Sequence, residues 1–237
     1  MSRHRSLAFW LVIVLAGAVA GTVAAAESER AVTFTVFGET GYDWSGLYVS
    51  PDGESFEELP FVRYTRSAPL RLTVPGDRIR VYRRDLADDG TLVYPVAGEA
   101  ALGDGVDEVL LFFFAERGRT PREGRGRFRV VAMDDSSVAL PRDHLVFFNA
   151  TGVQLFGALD TRELTLNPGQ SRAFDLRGLF GREVPVGFVV RSGETFERVL
   201  VNRMRFSPDR RTVILLLPPR REESYRIQAV RLSEAAD

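Results

Sequence analysis

The chain has 237 residues, 31 basic and 32 acidic side chains, a formal net charge of −1 and no cysteine. This balance excludes the net basic footprint of a general nucleic-acid binder, and the missing cysteines exclude disulfides, thiolate nucleophiles and cysteine-based metal sites. Every basic side chain apart from the two histidines is arginine, so Schiff-base and phosphate-loop lysines are excluded too.

Residues 1–26 read as a bacterial secretory signal. Arg3 and Arg5 form a positive start, Leu7 to Ala20 an apolar stretch, and Ala24-Ala25-Ala26 the small residues that a signal peptidase needs. Cleavage then leaves Glu27 first. The alternative is an uncleaved anchor, because Leu7 to Ala26 is long enough to span a bilayer. No later run approaches that length, so the expectation is a periplasmic or secreted protein with no membrane span after cleavage.

Beyond Glu27, period-two alternation dominates. Val32, Phe34 and Val36 alternate with Thr33 and Thr35, and Leu70, Leu72 and Val74 alternate with Arg71 and Thr73. Such alternation, bounded by turns such as Pro51-Asp52-Gly53 and Asp88-Asp89-Gly90, predicts half-buried strands. After the first strand, Gly41 to Tyr48 places Tyr42, Trp44 and Tyr48 in a glycine-bounded segment. Exposed rings of this kind stack on sugars or pack against a partner, so these three are candidate ligand-binding residues, against the alternative that Trp44 plugs the core. Asp43, Glu54, Glu57 and Glu58 nearby are the carboxylates that a glycosidase reading would draw on. Asp85 to Gly90 and Asp104 to Asp107 offer carboxylates without a complete calcium loop, and no metal or cofactor is expected.

Val109 to Ala115 is an unbroken apolar run, which predicts a strand buried on both faces. An Arg/Gly segment follows, in which Arg117, Arg119, Arg122, Arg125 and Arg127 are candidate anion-binding residues, with a solvated hairpin as the alternative. Asp134 to Asp143 combines a polar cluster with Pro141 and suits a joint. His144, the one histidine after the leader, sits beside Asp143 at a strand start, which is poor geometry for a catalytic triad.

Three pairs of segments recur in the same order. Pro69 to Asp77 resembles Arg162 to Gln170, Val109 to Ala115 resembles Val213 to Pro219, and Phe128 to Met133 resembles Tyr225 to Val230. The predicted organisation is therefore all-β: a signal peptide (1–26), a first immunoglobulin-like β-sandwich (27–137), a linker (138–143) and a second sandwich (144–237). The rival is one continuous β fold.

This layout resembles that of periplasmic pilus chaperones, which pair a leader with two immunoglobulin-like domains. The resemblance implies strand donation to a partner as a mechanism. That family also uses an Arg and a Lys to hold a terminal carboxylate, and this chain has no Lys. The functional expectation is a non-enzymatic binding or structural protein of the cell envelope. Its partner is an envelope protein or polysaccharide, and it binds no nucleic acid. The alternatives are an assembly chaperone, a carbohydrate-binding protein and, last, a carboxylate glycosidase.

Overall fold

The computed structural model describes residues 29–116, 128–219 and 224–235. Residues 1–28, which include the expected leader, and the Arg117–Arg127 segment lie outside the described residues. The described chain is all-β, with one three-residue 3₁₀ turn at Arg177–Leu179. No described helix is long and apolar enough to cross a membrane.

The first half holds β1 (Glu29–Gly38), β2 (Leu47–Val49), β3 (Glu57–Glu58), β4 (Leu70–Pro75), β5 (Arg78–Arg83), β6 (Asp85–Leu86), β7 (Leu92–Val93), β8 (Val96–Ala101), β9 (Glu108–Ala115) and β10 (Phe128–Asp134). The second half holds β11 (His144–Asn149), β12 (Leu155–Leu159), β13 (Arg162–Leu166), β14 (Gly169–Gln170), β15 (Phe174–Asp175), β16 (Glu183–Ser192), β17 (Thr195–Arg205), β18 (Arg210–Leu217) and β19 (Gln228–Ala235). Among the described residues, no sheet takes strands from both halves.

In the first half one sheet runs β10-β9-β1-β4 and another β3-β2-β5-β8. In the second half one sheet runs β19-β18-β11 with β14 and β15 on the far side of β11, and another β13-β12-β16-β17. The first sheet of each half centres on its opening strand, which pairs in parallel with the last strand but one: β1 with β9, and β11 with β18. Such a pairing departs from the purely antiparallel sheets of an immunoglobulin sandwich.

Burial assigns the layers. Val32, Phe34, Leu111 and Phe113 meet Leu47, Val49, Ile79 and Val81 in one core. Leu145, Phe147, Ile214 and Leu216 meet Leu155, Val186 and Phe188 in a second. Alternate residues of the same central strands, Leu110, Phe112 and Phe114 from β9 and Val213, Leu215 and Leu217 from β18, meet in a third core between the halves. Among the described residues the four larger sheets are thus stacked, two inner and two outer. The unbroken apolar runs of β9 and β18 follow directly: an inner strand has an outer sheet on one face and the other inner sheet on its second face.

The stretch expected to be a linker is packed. Leu140 is fully buried in the third core. Asp135 takes an ion pair from Arg66 Nη1 at 2.6 Å, and Arg66 also reaches Glu234 at 3.0 Å. Arg211 closes the cluster, on Glu234 at 2.6 Å and on the Asp135 carbonyl at 2.9 Å. Arg66 Nε and Nη2 and Asp135 Oδ1 are buried without a hydrogen-bond partner among the described residues.

One expected segment match takes different places in the two halves. β4 pairs with β1, but Arg162–Leu166 pairs with β12 in the outer sheet. A Pro-Gly turn reports local backbone conformation and not topology, so its recurrence misled the alignment.

Candidate functional site

The connection from β1 to β2 determines the character of one end of the first half. Trp44 is 9% exposed. Its ring meets Phe113 and Phe128 edge-on, with centroids 5.9 and 5.8 Å away, and stacks on Phe61 at 6.0 Å. Trp44 Nε1 donates to the Glu39 carbonyl at 2.9 Å, so the one polar atom of the indole is satisfied inside. Gly38 makes the fit possible, because a Cβ there would overlap the indole. Trp44 is therefore a plug of the core.

Tyr48 is buried as well, at 8% exposure. It lies on β2 and not in a loop, facing outward beneath Tyr94 (ring centroids 5.2 Å), and its hydroxyl donates to Glu58 at 3.4 Å. Phe56 stacks on Tyr94 at 4.0 Å and completes the cover. Of the three expected aromatics, only Tyr42 offers an open ring, at 41% exposure, tilted against Trp44 at 5.9 Å.

A cleft of about 900 Å³ opens beside these residues. Trp44, Phe61 and Tyr42 line it. The segment Pro60 to Tyr64, which sequence reasoning passed over, lines the cleft as well. Tyr64 is 68% exposed and holds a left-handed backbone, φ 67°. That conformation is unfavourable for a bulky residue. It is held from both sides: Leu59 N donates to the Leu47 carbonyl, and Ser67 Oγ accepts from Val36 N while Ser67 N donates to the Val36 carbonyl. No sequence signal marks Tyr64, because its neighbours Arg63 and Thr65 read as plain surface.

The cleft carries more acid than base. Asp43 and Glu58 line it, as do Glu39 and Arg63. Asp43 accepts from Ser45 N at 3.0 Å, which holds its carboxyl below the usual range. Glu58 accepts from Gly46 N at 3.2 Å. Glu54 and Glu57 are not among the lining residues. His144 lies 2.7 Å from the Arg142 carbonyl through Nδ1, which must therefore carry the proton in that contact. Among the described residues, no three acidic or histidine side chains converge to hold a metal ion. The five arginines of the candidate anion site lie outside the described residues. Compared with known proteins, the chain matches no family model and no curated protein.

Proposed function

We propose that this is an exported, non-catalytic binding protein of the bacterial cell envelope that takes a polysaccharide segment in the cleft lined by Tyr42 and Tyr64. One observation carries the reading: two exposed tyrosines, Tyr42 and Tyr64, line the same cleft as the buried ring of Trp44 and the half-buried ring of Phe61. Exposed rings present π-faces to the C–H faces of a sugar, and Asp43 and Glu58 supply acceptors for hydroxyl groups. The excess of carboxylates disfavours anionic polymers, so neutral glycans fit best.

The scaffold is read as two β-sandwich units derived from one by duplication. Three correspondences support this. The strand orders agree. Both outer sheets carry a bulge at the same place, after Val81 and after Phe188. Ser67 and Ser171 make the same bonds, each Oγ accepting from an opening-strand amide and donating to the next carbonyl.

Calorimetric titration with neutral and acidic oligosaccharides tests the binding reading. Tyr42→Ala and Tyr64→Gly should each weaken binding of a neutral glycan by about tenfold or more, the share of a stacking contact. Neither should lower the melting temperature, and Tyr64→Gly relieves an unfavourable backbone. Unchanged affinity in both variants, or equal binding of acidic polymers, would overturn the proposal.

A further inference from the structure

The outer faces of the two outer sheets occupy equivalent positions but are covered differently. In the first half Tyr48 stands opposite Tyr82. This row is roofed by Phe56, from the β2–β3 connection and 5.2 Å from Tyr82, and by Tyr94, between β7 and β8. In the second half the matching row is Phe156 opposite Val189. Its connection from β16 to β17 is a tight turn at Gly193-Glu194, and no roof is present among the described residues. Phe196 is 59% exposed and touches Phe156 at 5.7 Å, and Val201 is 67% exposed beside Gly187.

The first half carries the converse feature. The hairpin β6–β7 projects from the outer sheet with Leu86 opposite Leu92, 65% and 50% exposed, and Val93 and Val96 close by at 36% and 53%. Leu86 and Leu92 share one face of the hairpin, and nothing described in the chain covers them.

The two surfaces also match in charge. The hairpin bears Asp85, Asp88 and Asp89, with Arg83 and Arg84 at its base. Arg83 is turned inward over the Phe128 ring at 5.5 Å. The face bears Arg198 opposite Val189, Arg191 opposite Phe196 and Arg203 opposite Pro185. Its acids are Glu163 and Glu183, and Glu183 is taken up by Arg203 and Arg205 at 3.6 and 3.2 Å. A cationic apolar face and an acidic apolar hairpin therefore sit on opposite outer layers of the same four-sheet stack.

We propose that the occupant of the second half's outer face is the β6–β7 hairpin of another copy of this chain, so that copies associate head to tail. The hairpin then supplies in trans the cover that Phe56 and Tyr94 supply in cis. Because the two surfaces differ, each added copy presents a fresh face, and the contact is open-ended unless its rotation closes a ring. This inference is independent of the glycan reading.

Sedimentation of the purified protein across a concentration series tests it. The wild type should show an average mass that rises with concentration. L86D/L92D should remove the hairpin surface and V201E the face, each weakening association by about tenfold or more, because a charge is placed in an apolar contact. All three positions are exposed, so the variants keep their fold, checked by circular dichroism. Should one misfold, R198E and D88R/D89R replace them in the same design. The decisive sample is the equimolar mixture of the two variants. It should form dimers and nothing larger, because each variant retains one intact surface. A wild type that stays monomeric at every concentration, a mixture that stays monomeric, or association lost in V201E but kept in L86D/L92D would overturn the proposal.

Discussion

The same junction, from the opening strand to the outer sheet, is closed in two ways. In the first half an eight-residue connection, Glu39 to Gly46, folds Trp44 back over the core. In the second half the shorter connection after β11 is closed by Asn149, 2% exposed, whose Nδ2 donates to the Val153 carbonyl at 2.8 Å and the Leu166 carbonyl at 3.1 Å. Its Oδ1 accepts from Thr151 N at 3.1 Å. An amide plug is compact and fully hydrogen-bonded. An indole plug is large, needs neighbouring rings for contact, and leaves those rings partly open at the surface. The cleft lies where the plug is aromatic, so the difference separates a scaffold common to both halves from an elaboration present in one.

The largest effect expected from breaking this contrast is at Trp44. Trp44→Ala should destabilise the protein by about 3–5 kcal/mol, as for other large aromatic truncations, seen as a lowered melting temperature. A melting temperature within a degree or two of wild type would show that the indole is not a plug. Asn149→Ala tests the polar version. It leaves the buried Leu166 carbonyl without this donor, so about 1–3 kcal/mol should be lost, and Asn149→Asp should not restore it, because a carboxylate donates to no carbonyl. If Asn149→Ala costs as much as Trp44→Ala, the contrast between the plugs fails.

The smallest effect lies at the joint between the halves. Burial pushes the Asp135 carboxyl above its ordinary value, against the pull of Arg66 and Arg211 and with the push of Glu234. The folded state then binds this proton more readily than the unfolded chain. The contribution of Asp135 is therefore fully present below about pH 4, the unfolded carboxylate value, and declines as pH rises through the folded value. Asn carries no such titration. Urea unfolding of wild type and Asp135→Asn at acidic and neutral pH should show their difference moving in favour of the variant toward neutrality. Movement in the opposite direction would mean that the ion pair with Arg66 outweighs burial.

The strands were legible because a half-buried strand writes its two faces into alternate residues, as Leu70 to Val74 does. The runs Val109 to Ala115 and Val213 to Leu217 announced two covered faces. What covers them was not legible: an apolar side chain carries no label for its partner, so the third core between the halves could not be read from either strand alone. Tyr48 shows the same limit, since its cover comes from Phe56 and Tyr94 through tertiary packing. Tyr42 was found because glycines and a tryptophan flank it. Tyr64 was missed because a left-handed backbone at a non-glycine residue leaves no trace in composition. The recurrence of Ser67 and Ser171 was equally silent, since a single serine matters here only through the amide it faces.

The parallel partnerships at the centre of the inner sheets bear on the order in which the chain acquires structure. Thr33 pairs with Glu108, and Leu145 with Thr212. The opening strand of each half must therefore wait for a segment near that half's end before its central ladder can form. Local hairpins such as β16–β17 need no such wait. Closing long loops before their contacts reward it slows folding. Early in synthesis β4 can cover one edge of β1, and β14 and β15 one edge of β11, but the other edge of each opening strand stays open to proteases and holding chaperones until almost all of its half has been made.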